Sequence, residues 1–263
     1  MLDLRTTLRV TLGSYIAVHF AGLLPWAAEV FSNRGMLPDG TASPLLYAFP
    51  NVLALCDAPS VVIALVMLGA AAGVAIAAGK YDRLAAGAAL FVSACLFGRN
   101  PLIANPAMPY IGLTLFAWAA SPKRVDGQAW SPAVLRALWI AMAVGYSYSG
   151  VTKLAAPSWV DGQAFEYVLL NPLARSGFFR DLLLVCPPWV LKAFTWGALG
   201  FEIAFAPLAL LKRARPWLWG GMLAMHLGLL VLIDFADLTV GMLVLHICTF
   251  DPAWGWPWRW RAK

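Results

Sequence analysis

The residues best suited to chemistry lie at the end of one apolar stretch, where a single lysine follows a run of tyrosines and serines. The segment Gly145–Leu154 reads GYSYSGVTKL, and Lys153 is its only charged residue. On a helix of 3.6 residues per turn, Tyr146, Ser149 and Gly150 share one face with Lys153. The sequence therefore predicts a primary amine in a cleft that is lined by hydroxyl groups and a glycine gap.

An amine at this place has two interpretations. A charged group in apolar surroundings is costly, so a lysine that stays there usually has a function. A lysine that has lost water becomes available as a general base. The alternative is that Lys153 only extends its charged end to the membrane interface. The residues alone leave both interpretations open.

Two further polar residues interrupt apolar stretches later in the chain. Glu202 lies in GALGFEIAFAPLALL and His226 lies in MLAMHLGLL. Counted from the inner ends of consecutive antiparallel helices at about 1.5 Å per residue, both lie at a depth of roughly 14 Å. A carboxylate and an imidazole at one depth predict either a proton relay or a structural pair in which each satisfies the other.

The composition is that of a membrane protein. Of 263 residues, 61% are hydrophobic and 12% are charged, and the mean hydropathy is +0.73, whereas soluble domains carry about a quarter charged residues. Eight apolar stretches are long enough, or nearly so, to cross a hydrocarbon core of about 30 Å. They cover residues 8–30, 59–79, 83–99, 106–120, 132–154, 188–211, 216–234 and 236–251.

The distribution of positive charge predicts the orientation. With the amino terminus inside, eight spans place 13 Lys and Arg on the inner side and six on the outer side, and this asymmetry favours a cytoplasmic amino terminus. The net charge of +6 is explained in this way and gives no reason to expect nucleic acid as a partner. Residues 155–188 then lie outside, where 161–170 and 175–185 have the mixed pattern of helices on a membrane surface.

The predicted fold class is therefore an all-α membrane protein: a bundle of about eight transmembrane helices, with amphipathic helices on the outer face, formed by one domain over residues 1–263. No metal centre is expected, because HExxH and related spacings are absent and the three histidines are far apart in the sequence. Cys56 and Cys186 both fall toward the outer face, so they form either a disulfide or two free thiols.

The lysine segment resembles a known signature. The pattern Tyr146-x-Tyr148-Ser149-Gly150-Val151-x-Lys153-Leu154, followed by Trp159-Val160-Asp161-Gly162, is similar to that of the horizontally transferred transmembrane (HTTM) family, the membrane domain of vitamin K-dependent γ-carboxylase. The resemblance covers most of the chain, and the lysine–tryptophan segment is its specific part. Residues 1–263 contain no counterpart of the carboxylase's large lumenal domain. The family's Asn-His loop aligns loosely with 105–110, where no histidine stands.

The resemblance implies a role for each of these residues. Lys153 is expected to be the catalytic amine, acting as a base toward a reduced naphthoquinone, a vitamin K-like hydroquinone whose oxygenation yields a strong base. The expected cofactor-binding residues are Tyr146, Tyr148, Ser149, Gly150, Trp159 and Asn105, with Trp159 as a stacking wall. Glu202 and His226 are expected to lie deeper, where they hold two helices together or relay protons.

Two functions follow as hypotheses. The first is a quinol-dependent enzyme of the bacterial inner membrane, a carboxylase-like lyase or an oxidoreductase. It would modify a peptide or small substrate on the extracytoplasmic side, with the lipid bilayer and a secreted peptide or soluble protein as partners. The alternative is a non-catalytic membrane subunit that anchors or helps to mature a secreted partner. Transport is less favoured, because the sequence shows no paired broken helices in two matching halves.

Overall fold

The structure, a computed structural model, describes residues 4–121, 130–251 and 254, and the regular secondary structure of these residues is helical. The helices are α1 (Leu4–Leu23), α2 (Ala27–Phe31), α3 (Pro59–Ala78), α4 (Asp82–Arg99), α5 (Met108–Ala120), α6 (Pro132–Lys153), α7 (Pro157–Val160), α8 (Ala164–Leu170), α9 (Phe178–Leu184), α10 (Pro188–Ala209), α11 (Arg215–Leu232) and α12 (Ala236–Thr249). Within these residues, the β contact is one isolated bridge between Ala174 and Ile233. The prediction of an all-α fold is confirmed.

A helix lies over each of the eight apolar stretches. Among the described residues, three helical segments are long and apolar enough to cross a membrane: Leu4–Phe31, α3 and α6. The pair α9 and α10 gives a fourth if its two helices, bent by 109°, form one broken span. Helices α5 and α12 are apolar but shorter. The chain therefore has several helices able to cross a membrane, and the number eight stays a prediction.

The chain divides into two compact units, the first of which ends at Val134. In this unit α1 packs against α3, α3 against α4, and α4 against α5. A Cβ on Gly13 would overlap the backbone of Ala77 in α3, so glycine allows the close approach of these two helices. The α3–α4 hairpin predicted from the sequence is present, and Gly79 ends α3 in a left-handed conformation with φ of 73°.

Arg99, at the end of α4, is the central polar residue of the first unit. Its side chain is fully buried, and its Nη2 lies 2.9 Å from Oδ2 of Asp57. The same nitrogen donates to the carbonyl of Leu37 at 2.7 Å. A buried charge that is paired and hydrogen-bonded in this way fastens the loop between α2 and α3 to the end of α4.

The second unit begins at Leu135, so it contains almost all of α6 together with α7 to α12. Its core is formed by large side chains from the four long helices. These buried residues include Trp139, Met142, Tyr146, Leu199, Phe205, Leu218, Met222, Val244 and Leu245. At one end, α7 and α8 cover the first half of α10: Trp196 Nε1 donates to the Val160 carbonyl at 3.0 Å, and Thr195 Oγ1 accepts from Phe165 N at 3.0 Å.

Candidate functional site

Lys153, the last residue of α6, is held by contacts on two sides. Its Nζ forms an ion pair with Oε2 of Glu202 in α10. The same nitrogen lies 4.6 Å from the ring centroid of Trp159 in α7. The side chain of Lys153 is 23% exposed and that of Glu202 is 6% exposed. The amine is thus partly dehydrated between a buried carboxylate and an aromatic face, an arrangement unlike that of a lysine free at the surface.

Gly150 sets the distance between α6 and α10. A Cβ at this position would lie 2.7 Å from the backbone nitrogen of Ile203 and 3.0 Å from Cβ of Glu202. Real side chains do not tolerate such a contact with a backbone atom, so a glycine is required for the two helices to approach this closely. One turn later, the same approach brings Lys153 within reach of Glu202. The glycine gap predicted beside the lysine is confirmed.

The hydroxyl of Ser147 bonds backbone groups of α10 at the place where a proline interrupts the hydrogen bonds of that helix. Pro207 lies inside this helix and has no N–H to give to the carbonyl of Ile203. The hydroxyl of Ser147 donates instead to the carbonyls of Glu202 and Ile203, both at 3.0 Å, and accepts from Ala206 N at 2.8 Å. Side-chain hydroxyls of a neighbouring helix commonly satisfy the groups that a proline frees in a membrane helix. The break lies directly after Glu202, so Ser147 belongs to the site.

A second polar contact lies in the core of the same unit. The Tyr146 hydroxyl and Nε2 of His226 in α11 are 2.8 Å apart. The ring of His246 in α12 has its centroid 5.8 Å from that of His226, and its Nδ1 donates to the Met242 carbonyl at 2.9 Å. In the described part of the chain, Nδ1 of His226 and Nε2 of His246 are buried without a hydrogen-bond partner. Each of these two buried imidazole rings therefore has one nitrogen that forms no hydrogen bond.

These contacts correct the pairing expected for Glu202 and His226. The hydrogen-bond partner of the carboxylate is Lys153, and that of the imidazole is Tyr146. Both partners belong to α6. This helix therefore provides a separate partner for each of the two side chains that the sequence had placed at one depth. The expected direct pairing of Glu202 with His226 is therefore not found, since each side chain bonds a different residue of α6.

The other residues of the predicted cofactor set have different surroundings. Tyr148 is 70% exposed, because it lies about 160° around the helix from Gly150. Ser149 is half-buried, and the serine that contacts α10 is Ser147. Trp159 is half-buried and contacts the lysine, as expected. The cofactor-binding roles of these residues remain predictions.

Asn105 belongs to the first unit, where it has a local role. Its side chain is buried, and Oδ1 accepts a hydrogen bond from Ala107 N at 2.8 Å, while its carbonyl accepts from Met108 N at 3.0 Å. Asparagine commonly makes such a turn before a helix. This contact positions the start of α5 and accounts for the burial of Asn105 without a ligand.

A cleft of about 360 Å³ lies beside Trp159. It is lined by Ser158, Trp159, Ala164, Tyr167, Val168, Asn171, Leu173, Ile233 and Phe235. One wall comes from α7, α8 and the segment after them, and the other from the turn between α11 and α12. The two walls are joined by the Ala174–Ile233 bridge. Lys153 is not part of the lining, and Trp159 is the residue that both lines the cleft and contacts the amine.

Two other predictions concern metal centres and disulfide bonds. Within the described residues, no group of three or more His, Cys, Asp or Glu side chains is arranged to hold a metal ion. The four cysteines are all free thiols. The disulfide alternative for Cys56 and Cys186 is therefore not realised in the structure.

Comparisons with known proteins assign the chain to no family. No family model matches the sequence, and no solved structure matches it. The chain is similar to the uncharacterized protein YitO of Bacillus subtilis (strain 168), with 30% identity over 145 residues. The similarity covers 51% of this chain and 46% of YitO, so the chain matches less than half the length of that relative. The name of YitO assigns it no activity.

Proposed function

We propose that the protein is an integral membrane enzyme of the HTTM type, resembling the membrane domain of vitamin K-dependent γ-carboxylase, in which Lys153 acts as a base toward a reduced quinone. The observation that carries the proposal is the position of the amine. Lys153 is partly dehydrated, contacts a buried carboxylate, and shares Trp159 with a cleft of ligand size. A lysine with only an interfacial role needs none of these three features.

The chemistry of the pair supports a base. A proton that moves from Nζ of Lys153 to Oε2 of Glu202 leaves a neutral amine beside a neutral carboxylic acid, and no charge is added to the core. The neutral amine can then accept a proton from a bound hydroxyl group, which leaves an oxyanion beside the ammonium. The carboxylic acid afterwards releases its own proton to solvent, and this restores the ion pair. In this proposal, Glu202 is the proton partner of Lys153, and Gly150 keeps the two helices close enough for the exchange.

The residues around the cleft suit a flat, lipid-soluble ring. A volume of about 360 Å³ falls within the usual range of ligand pockets, about 300 to 1,000 Å³. Trp159, Tyr167 and Phe235 would hold the ring through aromatic faces, and Ser158 and Asn171 add polar groups at the lining. A reduced naphthoquinone bound there would supply an acidic hydroxyl and, once oxygenated, a strong base for proton abstraction from the substrate.

The proposal includes the predicted topology: eight spans in a bacterial inner membrane, a cytoplasmic amino terminus, and a peptide or small substrate on the outer side. Two observations support it. A helix covers each of the eight apolar stretches. In addition, Leu173–Arg175 and Leu232–Asp234 are hydrogen-bonded to each other, which places the segment after α8 and the α11–α12 turn at the same end of the second unit.

The test uses the purified full-length protein in lipid nanodiscs with reduced 1,4-naphthoquinone, whose consumption is followed by absorbance. Lys153→Ala and Lys153→Arg should both reduce consumption by about 100-fold or more, because arginine keeps the charge but does not give up its proton. Lys192→Arg is the matched control, since Lys192 also lies over a tryptophan, 5.9 Å from the Trp196 ring centroid. Full activity of Lys153→Arg would rule out a base at this position.

A second experiment addresses the cofactor. Lipids extracted from protein purified in several mild detergents should contain a quinone, detectable by mass spectrometry, and Trp159→Ala should lower its amount. Absence of quinone under all conditions would contradict the cofactor assignment.

The alternative function, a non-catalytic membrane subunit, is favoured by one observation. The Lys153–Glu202 pair joins α6 to α10 and would stabilise the fold with no reaction at all. In that case Lys153→Arg, which preserves the charge, should leave the maturation of a secreted partner intact.

A further inference from the structure

We propose that Ser147 is a positioning residue for the Lys153–Glu202 pair. Its hydroxyl replaces the backbone hydrogen bond that Pro207 removes from α10, and it thereby fixes the backbone of Glu202 opposite Lys153. The inference rests on the proposed function, in which this pair handles the proton. Ser147 and Pro207 lie on different helices, and the two hydroxyl contacts join residues that are 55 and 56 positions apart in the sequence.

The Ser147 hydroxyl forms hydrogen bonds with the backbone groups around Pro207. Because Pro207 lacks an N–H, the carbonyl of Ile203 has no donor within α10. A serine hydroxyl has one hydrogen to donate and two lone pairs. Ser147 shares its hydrogen between the carbonyls of Glu202 and Ile203 and accepts from Ala206 N. The one side chain thus serves three backbone groups, of which the first belongs to Glu202 itself and the others to Ile203 and Ala206.

Three residues of α6 contact α10 at regular spacing. Ser147 contacts the break, Gly150 lies against Ile203, and Lys153 pairs with Glu202. The contacts move backward along α10 as they move forward along α6, so the helices are antiparallel here. The backbone of Glu202 is therefore held between the Ser147 contact and the Gly150 contact, and its side chain is aimed at Lys153. Loss of the first contact should release the carboxylate from the amine.

The experiment measures how readily Lys153 reacts, with no substrate present. The purified full-length protein in detergent is treated with N-acetoxysuccinimide, and acetylation of Lys153 is followed by peptide mass spectrometry. Ser147→Ala should raise the rate about tenfold, the factor that corresponds to the loss of one hydrogen bond of roughly 1.4 kcal/mol. Thr152→Ala is the matched control, because the Thr152 hydroxyl bonds a carbonyl of its own helix, that of Ser149, at 2.9 Å.

A second substitution makes the test specific. Pro207→Ala supplies the N–H that the helix lacks, so the hydroxyl then has nothing to replace. The double variant Ser147→Ala/Pro207→Ala should return to the wild-type rate, and Pro207→Ala alone should match it. A merely structural loss at Ser147 would not be rescued by removal of a proline on another helix.

Each outcome decides the proposal. A wild-type rate in Ser147→Ala, or a double variant as reactive as Ser147→Ala, overturns it. If Ser147→Ala does not fold, equal rates in Pro207→Ala and the double variant support the proposal, and a faster double variant overturns it. Quinol consumption is measured separately. A changed labelling rate with unchanged consumption refutes the proposed function and leaves the positioning role in place.

Discussion

The ion pair between Lys153 and Glu202 predicts an asymmetric loss of stability when either partner is replaced. In Lys153→Met, the carboxylate of Glu202, only 6% exposed, is left buried without its cation. An unpaired buried charge of this kind costs about 3 kcal/mol, the lower part of the range for broken buried pairs. In Glu202→Gln, by contrast, the lysine is 23% exposed at a helix end and can extend toward the interface. We therefore expect a loss of only about 1 kcal/mol.

The double variant Lys153→Met/Glu202→Gln removes both charges and should lose about 1 kcal/mol, well below the sum of the single losses. The coupling free energy is then about 3 kcal/mol, which is at the upper end for residues in contact. Lys192→Met is the control for loss of a lysine over a tryptophan, and it should lose no more than about 0.5 kcal/mol.

Unfolding of the full-length protein by SDS in mixed micelles gives these values, because the 13 tryptophans provide a strong fluorescence signal. The asymmetry is the decisive result. Equal losses in the two single variants, or a double variant that shows the full sum, would mean that the two side chains are not paired and would refute the reasoning.

The remaining predictions concern neighbouring contacts. Gly150→Ala should destabilise the protein by about 1 to 3 kcal/mol in the same unfolding assay, because the new Cβ would lie 2.7 Å from the Ile203 backbone nitrogen. Gly197→Ala is the control. This helix position has open space around it, so the substitution should be neutral or slightly stabilising. Tyr146→Phe should cost about 1 to 2 kcal/mol, because it leaves Nε2 of His226 unpaired in the core. His226→Phe combined with Tyr146→Phe should cost less than the sum of the single losses, and additive losses would contradict the contact.

The positions of the helices could be predicted from the sequence because the signal is local. Each apolar stretch is bounded by charges, glycines or prolines. Seven of the eight became single helices with ends within a few residues of the prediction, and the first is divided between α1 and α2. The same local periodicity placed Tyr146, Gly150 and Lys153 on one face. Of that face, Gly150 and Lys153 contact α10 as one unit, whereas the Tyr146 hydroxyl bonds His226 in α11. The glycine gap is thus the part of the predicted cleft that the structure bears out.

The partner of the lysine could not be predicted, because the Lys153–Glu202 contact joins residues 49 apart. The depth argument assumed that all helices begin and end at the same two planes. Helix α10 is instead offset: its residues 202–206 lie opposite 147–153 of α6, and its first half packs against α7 and α8. An offset of this kind changes which residues meet without altering the hydropathy of either helix.

Ser147 was missed for a related reason. Ser147 and Ser149 lie on opposite sides of the face that carries Lys153, and Ser149 is nearer to it by angle. The choice between them depends on the side from which α10 approaches. The available signal was Pro207, which stands inside an apolar helical pattern and implies a hydroxyl from a neighbouring helix. His246 was likewise assigned no role, although its ring lies beside His226.

Trp159 decides how a ligand could reach the amine. The ring contacts Lys153 and also lines the cleft, so we infer that a group in the cleft reaches Nζ when this ring moves. Displacing a tryptophan from a lysine costs about 0.5 to 2 kcal/mol, whereas separating Lys153 from Glu202 would lose their coupling free energy of about 3 kcal/mol. The less costly route is rotation of Trp159 while Glu202 stays paired. A ligand would then meet an amine that still has its proton partner, and the proton can pass between Lys153 and Glu202 without crossing the core.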